Sequence, residues 1–366
     1  MKSSSDKKIY RDMVAAVREK LLCLPENGHI WRALPARRVD EIAERIELSD
    51  IEDLKGARFP PLFSLLSCCS ISAIREFEFD VCLVVDHSNR RSLAKITQFL
   101  KAGCQDDRDW VAGQFEMFVK SRFLKEGLTV ELDYLLPNGK DADIRLEMDQ
   151  KVFSLECTVI TDSDEDRNTW DRFIADKSAL EKGILMRPGK YDSPGSRSPS
   201  DYYDCLRFYA KVYDKIAKQF DPEKSQMNEN AANVLLISFY SPRASLSPTS
   251  PGVGWALDEL LADQPMSGAR LKDSPPGITD ISILAWLDFT AKDPHRKSQL
   301  DLNRYYKDFD KIVAAPRKIG GILLFEACSF RASRVNYNAY KRCSLSHHEI
   351  ARLEKLVGTP PAWWHQ

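Results

Sequence analysis

The stretch that decides the fold is residues 129–160, TVELDYLLPNGKDADIRLEMDQKVFSLECTVI. Residues 129–136 predict a β-strand, and the Pro-Asn-Gly-Lys sequence at 137–140 predicts a tight turn. Apolar and polar residues alternate in 142–148 and again in 151–160, which is typical of half-buried strands. The stretch therefore predicts three consecutive strands, and the last two are expected to form a hairpin.

Helices and further strands are predicted on both sides of this stretch. A helix is expected from about residue 106 to 126, because Trp110, Phe115 and Phe118 share one side of it and Gly127 ends it. The later elements are a helix at 202–220, buried strands at 233–240, 281–289 and 319–327, and a helix at 346–356. The order α-β-β-β-α-β predicts an α/β protein with a mixed β-sheet and helices packed against it.

The same patterns divide the chain into three parts. Residues 1–105 are expected to form a helical N-terminal region, with apolar residues at helical spacing in three segments, 9–21, 39–46 and 93–100. Residues 106–345 are expected to form the α/β domain, with loop insertions at 161–200 and 241–280. A C-terminal helix and tail are expected over 346–366.

Composition excludes several classes of protein. The chain has 366 residues, and its 53 Lys and Arg nearly balance its 54 Asp and Glu, so the net charge is −1. A wholly basic, histone-like protein and an acidic solvating tail are both excluded. The absence of a long apolar run and of a secretory signal predicts a cytoplasmic protein with no membrane partner. The nine cysteines lack zinc-ribbon spacing, so they are expected to be reduced thiols.

Two carboxylates in the hairpin are the strongest candidates for chemistry. With a side-chain period of two, Ser154, Glu156 and Thr158 share one face of their strand, and the opposite face is apolar and predicted to be core. Asp143 lies near the start of the neighbouring strand. Two carboxylates on adjacent strands are suited to one divalent cation, and hard oxygen ligands favour Mg²⁺ or Mn²⁺. The cation, with Asp143 and Glu156 as its ligands, would activate water for hydrolysis.

Over residues 106–240 the chain resembles the PD-(D/E)xK nuclease superfamily, which has the restriction-endonuclease-like fold. The resemblance assigns Asp143 to the superfamily's Asp, with Ala142 where proline is usual, and Glu156 to its acidic residue. The superfamily's catalytic Lys falls two residues later, and here that position is Thr158. A threonine hydroxyl lines a site but supplies no positive charge. The resemblance implies a metal-dependent nuclease. The chain departs from the superfamily because it lacks the catalytic lysine at position 158.

The resemblance also implies two residues outside the hairpin. The superfamily often carries a Glu on its first helix, and Glu116 occupies that place, where it would orient water or hold the metal through a water. A displaced lysine would restore the missing charge. Lys215, on the flank of the apolar stripe of helix 202–220, is assigned this role, and Lys140, Lys211 and Lys218 are further candidates.

Other interpretations remain open at this point. A catalytically inactive form of the same fold would bind nucleic acid or a protein partner without metal. In an unrelated α/β protein the acids would be structural, and Glu156 would pair with Arg145 or Lys140. Nucleic acid, DNA in preference to RNA, is the expected partner of the nuclease. A basic and aromatic group near the C-terminus suits such a partner: Arg317, Lys318, Phe330, Arg331, Arg334, Tyr337, Tyr340, Lys341 and Arg342.

Overall fold

The computed structural model describes residues 7–55, 59–104, 107–161, 215, 223, 225–228, 230–240, 319–326, 332–336, 345–357 and 361–363. Within these residues, the helices that precede the first strand are α1 Lys8–Leu22, α2 His29–Ala33, α3 Ala36–Leu48, α4 Ile51–Lys55, α5 Pro61–Cys68, α6 Ile71–Asp86, α7 Arg90–Ala102 and α8 Asp107–Lys125. The strands are β1 Thr129–Leu135, β2 Asp141–Met148, β3 Lys151–Thr161, β4 Ala232–Tyr240, β5 Ile319–Glu326 and β6 Ala332–Asn336, and α9 is His347–Val357.

The chain divides into two compact units. The first comprises Met1–Asp133 and Leu356–Gln366, and the second comprises Tyr134–Lys355. The boundary between the units falls inside β1, and α8 belongs to the first unit. The reason is that α8 packs against α6 and α7 through its aromatic side chains. The rings of Trp110 and Phe99 stack with centroids 4.6 Å apart, and this places α8 in the core of the first unit.

Helical spacing predicted most of the core of the first unit. In α3 the stripe of Val39, Ile42 and Ile46 is buried as expected. In α1 the predicted Val17 and Leu21 are buried together with Val14, whereas Ile9, which was predicted to belong to the same face, is exposed. An apolar residue at the first turn of a helix extends the pattern in sequence even where no neighbour covers it.

Residues 77–85 fit either a buried helix or a strand by sequence, and the structure resolves them as part of α6. Ser70 begins this helix, because its hydroxyl accepts a hydrogen bond from the backbone N–H of Ala73. Phe77, Asp80 and Val81 are all buried. These positions share one face of α6, but that face includes the charged Glu78 and Asp80, whereas the apolar Phe79 is exposed, so the sequence lacks a clean apolar stripe.

The C-terminal segment of the chain belongs to the first unit. The ring of Trp363 is fully buried and lies 4.7 Å from that of Phe77, centroid to centroid. Its indole N–H donates a hydrogen bond of 2.9 Å to the buried carboxylate of Asp80. Lys125 forms an ion pair of 2.5 Å with the other oxygen of the same carboxylate. The first unit is therefore completed only when the end of the chain returns to it.

The strands form one mixed sheet in the order β1-β2-β3-β4-β5-β6. β2 and β3 are antiparallel and form the predicted hairpin, whose turn residues Asp149 and Gln150 both have positive φ, as a type I′ turn requires. β4 is parallel to both β3 and β5, and β6 is antiparallel to β5. The α/β class and the mixed sheet expected from sequence are confirmed.

In β3 both faces are buried. Phe153 and Leu155 lie on the apolar face, as predicted, but Ser154 and Glu156 on the opposite face are buried as well. β3 has strand neighbours on both sides, which is typical of a central strand covered on both faces. The predicted polar side of this strand is therefore an interior surface.

α9 closes the second unit against the β2–β3 turn. It begins with a capping box in which Ser346 and Glu349 each bond the backbone N–H of the other. The carboxylate of Glu349 also pairs with Lys151 at the start of β3. Arg352 on the next turn pairs with Asp149. These contacts fix the predicted C-terminal helix beside the hairpin.

Several predictions lie outside the described residues. They are the strand at 281–289, the loop insertions and all of the helix at 202–220 except Lys215, which is helical. The basic and aromatic group near the C-terminus also lies outside them, apart from the backbone of Arg334 in β6. Within the described part of the chain, no helix combines the length and apolar character needed to cross a membrane.

Candidate active site

Asp143 and Glu156 lie opposite each other at the point where β2 and β3 stop pairing. The antiparallel pairing ends with Ile144 opposite Leu155, and one further residue on each strand places Asp143 opposite Glu156, on the same face of the sheet. Beyond this point the Asp143 side chain bridges the two strands. Its Oδ2 accepts a hydrogen bond of 2.8 Å from the backbone N–H of Cys157. The strands that carry the two carboxylates are therefore joined at the site itself.

Both carboxylates are buried. Asp143 is 7% exposed and Glu156 is 5% exposed, and Ser154 and Thr158 on the same face of β3 are buried too. A buried carboxylate is costly unless a positive charge or a set of hydrogen bonds compensates it. The hairpin therefore concentrates negative charge in an interior position, which requires a cation.

Lys215 supplies positive charge at this position. Its Nζ donates a hydrogen bond of 2.6 Å to Oε1 of Glu156, across 59 residues of sequence. Burial alone would lower the pKa of Lys215, but the charges of Glu156 and then Asp143 outweigh burial and raise the pKa above its usual value. The ammonium is therefore held in its charged form close to both acids.

The segment after Lys215 is tied to the strand that carries Asp143. The side-chain amide of Gln226 donates to the backbone carbonyl of Asp141, at 3.2 Å. From the β1–β2 turn, the amide of Asn138 donates to the carbonyl of Ser225, at 2.8 Å. The neighbouring Asn233 at the start of β4 exchanges hydrogen bonds with the backbone of Asn228. These bonds anchor residues 225–228, which precede β4, against the start of β2.

Thr158 lies where the resemblance expects lysine. It is two residues beyond Glu156 on the same buried face, and its Cα partner in β4 is Ile237. Its side chain carries no charge, whereas Lys215 brings an ammonium to the neighbouring Glu156. Lys140 and Arg145, the basic residues closest to the hairpin acids in sequence, have different surroundings. Lys140 is exposed in the β1–β2 turn, and Arg145 pairs with Glu147.

Glu116 lies in the first unit, where it belongs to a charge network centred on the buried Lys120 and Asp133. Lys120, one helical turn further along α8, donates to Glu116 and to Oδ2 of Asp133, the latter at 2.8 Å. Lys95 of α7 donates to the other oxygen of Asp133 at 2.5 Å. The oxygens of Glu116 and Asp133 come within 4.8 Å of each other. Glu116 is therefore held by a buried ammonium in this unit.

Lys120 and Asp133 were not among the residues predicted from the sequence. Lys120 stands inside the apolar run FEMFVKSRF, four residues after Glu116, and a lysine there needs a counterion. Asp133 interrupts the strand sequence TVELDYLL, and it adopts the left-handed conformation with φ of 47°. Both signals are local, but nothing in the sequence pairs one residue with the other.

We expect Asp133 to stabilise the protein in a pH-dependent manner. Burial alone would raise its pKa, but the charge and hydrogen bond of Lys120, together with Lys95, lower the pKa below its usual value. An acid with a lowered folded-state pKa contributes stability above its unfolded pKa of about 4, and this contribution is lost as the pH falls through the folded-state pKa. The difference in unfolding free energy between the wild type and Asp133→Asn should therefore be largest near neutral pH and shrink below about pH 4.

Urea unfolding from pH 7 to pH 3 measures this difference. Asp40→Asn is the matched control, because it removes an exposed carboxylate that pairs with Arg18 in the same unit. It is expected to change the unfolding free energy by less than about 1 kcal/mol. A constant difference between the wild type and Asp133→Asn across this range would contradict the assigned role of the ion pair.

Comparisons with known proteins returned no relatives. No protein-family model, no curated protein and no solved structure matches the chain. A proposal of function therefore rests on the site itself.

Proposed function

We propose that the protein is a metal-dependent nuclease that hydrolyses phosphodiester bonds in nucleic acid. The observation that carries the proposal is the contact of the Lys215 ammonium with the pair of buried carboxylates, Asp143 and Glu156. It unites the three charges that the resemblance requires, although the third comes from a different element. The strand order also supports it, because the β2–β3 hairpin is followed by a crossover through Lys215 to the parallel strand β4.

The residues present fit a hard divalent cation. Asp143 and Glu156 offer carboxylate oxygens from opposed positions on adjacent strands, and such oxygens are the ligands that Mg²⁺ and Mn²⁺ prefer. Together with Lys215, they carry a formal charge of −1, so one divalent cation leaves the group positive and suited to a phosphate. Such a cation, when bound, polarises the phosphate and activates water.

The chain's own residues have distinct roles in this scheme. The backbone N–H of Cys157 holds one oxygen of Asp143 and so orients that carboxylate. The ammonium of Lys215 offsets the charge that develops on the phosphate oxygens during hydrolysis. Thr158 lines the site beside Glu156. Glu116 keeps the role that the resemblance implies, which is to orient water or to hold the metal through a water, and Lys120 pairs with its carboxylate.

Cleavage by the purified protein tests the proposal directly. With Mg²⁺ or Mn²⁺ we expect breakdown of DNA, RNA or both, and with a chelator in place of the metal we expect none. Asp143→Asn is expected to remove the activity, because it removes a charged ligand and keeps the size of the side chain. Glu147→Gln is the matched control, since Glu147 lies on the same strand, pairs with Arg145 and is outside the site.

Binding without cleavage would be the result of an inactive module. Salt-sensitive binding of nucleic acid that persists in the chelator, with no breakdown at any metal concentration, would overturn the proposed enzyme. Equal cleavage by the wild type and Asp143→Asn would also contradict it, because the activity would then arise elsewhere.

A further inference from the structure

We infer that Lys215 acts as a gate on the proposed metal site, because its ammonium occupies the position of the cation. The inference rests on the proposed function and adds a regulatory element to it. A divalent ion would have to displace this ammonium from Glu156 before it gained full coordination. Lys215 would thus limit the affinity for metal and also serve the reaction once the metal is bound.

The contact between Lys215 and Glu156 supports the first step. The distance of 2.6 Å from Nζ to Oε1 leaves no room for an ion between these two atoms. The Lys215 side chain is 20% exposed, whereas that of Glu156 is 6% exposed. The ammonium is therefore more accessible to solvent than the carboxylate that it contacts.

Electrostatics supports the second step. The ammonium lies close enough to Asp143 for both acids to act on its charge, so it compensates the same two carboxylates that a metal would use. A displaced ammonium nearby repels a divalent ion, and the repulsion is strong in a site of low dielectric constant. Removal of the charge should therefore strengthen metal binding for two reasons, since it vacates Oε1 and removes the repulsion.

The gate predicts opposite effects on binding and on cleavage. Lys215→Met should bind Mn²⁺ more tightly by roughly tenfold or more, as measured by calorimetric titration with the metal alone. The same variant should cleave more slowly, because it lacks the charge that offsets the developing phosphate charge. Lys215→Arg should keep a Mn²⁺ affinity close to that of the wild type, because it keeps the positive charge.

Two further variants make the test independent of folding. Lys215→Gln should repeat the tightening, so the test stands even where Lys215→Met does not fold, as checked by thermal unfolding. Lys151→Met is the matched control, because Lys151 also pairs with a glutamate at β3, namely Glu349 of α9. Its loss should leave the affinity for Mn²⁺ unchanged.

The outcomes separate this inference from the proposed function. Equal Mn²⁺ affinity in the wild type, Lys215→Met and Lys215→Gln would overturn the gate, while cleavage by the wild type would still support the nuclease. Tightening in Lys215→Arg as large as in Lys215→Met would also overturn the gate, since its charge would then have no part. An absence of Mn²⁺ binding in all variants, together with an absence of cleavage, would overturn both.

Discussion

Glu156→Gln is expected to reduce metal-dependent cleavage by more than about a hundredfold while the protein remains folded. Glutamine has the size of glutamate, so the buried face of β3 keeps its packing. It lacks the charge that attracts a divalent ion and holds Lys215. Cleavage rates at saturating Mn²⁺ measure the effect, and calorimetric titration should show weaker metal binding in the same variant.

The control for this variant must also remove a carboxylate from the same hairpin. Glu147→Gln does so on β2, where the side chain pairs with Arg145 and is 46% exposed. It should keep full activity. Cleavage at the wild-type rate by Glu156→Gln would remove the basis of the proposed site, because Glu156 is its most deeply buried acid.

Lys120→Met is expected to lower the free energy of unfolding by about 3–5 kcal/mol. Methionine preserves most of the volume but removes the buried ammonium from Asp133, and Glu116 loses its pair with Lys120. Removing one partner of a buried ion pair lowers stability strongly, because the charge of the other partner stays in the interior without compensation. Urea unfolding at neutral pH measures the loss.

Lys95→Met is the matched control for Lys120→Met. Both lysines bind the carboxylate of Asp133, but the side chain of Lys95 is 40% exposed and that of Lys120 only 3%. We expect Lys95→Met to cost less than about 1.5 kcal/mol, because the exposed ammonium is solvated in either state. Equal losses in the two variants would show that burial of the ion pair does not determine its contribution.

The amino-acid pattern predicted the hairpin because its signals are local. Alternation of apolar and polar residues specifies which side chains share a face, and the two-residue turn at Asp149 specifies the register. The position of Asp143 opposite Glu156 follows from these two features alone. The start of α9 was also predictable, since Ser346 and Glu349 have the spacing of a capping box.

Less of the first unit was predictable from the sequence, because its packing depends on contacts between residues that are distant in the chain. α8 is buried around much of its circumference, and the buried face of α6 carries Glu78 and Asp80, so apolar residues do not mark a clean stripe on either helix. The association of α8 with the N-terminal helices depends on the packing of Trp110 against Phe99. The burial of Trp363 depends on the return of the C-terminus, which no local pattern indicates.

By itself the sequence determined the α/β class, the hairpin and the two acids that face each other on it. Only the tertiary structure decided which cation meets each acid, because Lys215 lies 59 residues from Glu156 and Lys120 lies 13 residues from Asp133. The pattern of apolar and polar residues indicates which face of a helix or strand is buried. It does not indicate which distant side chain contacts a given buried residue, because that contact depends on how separate helices and strands pack.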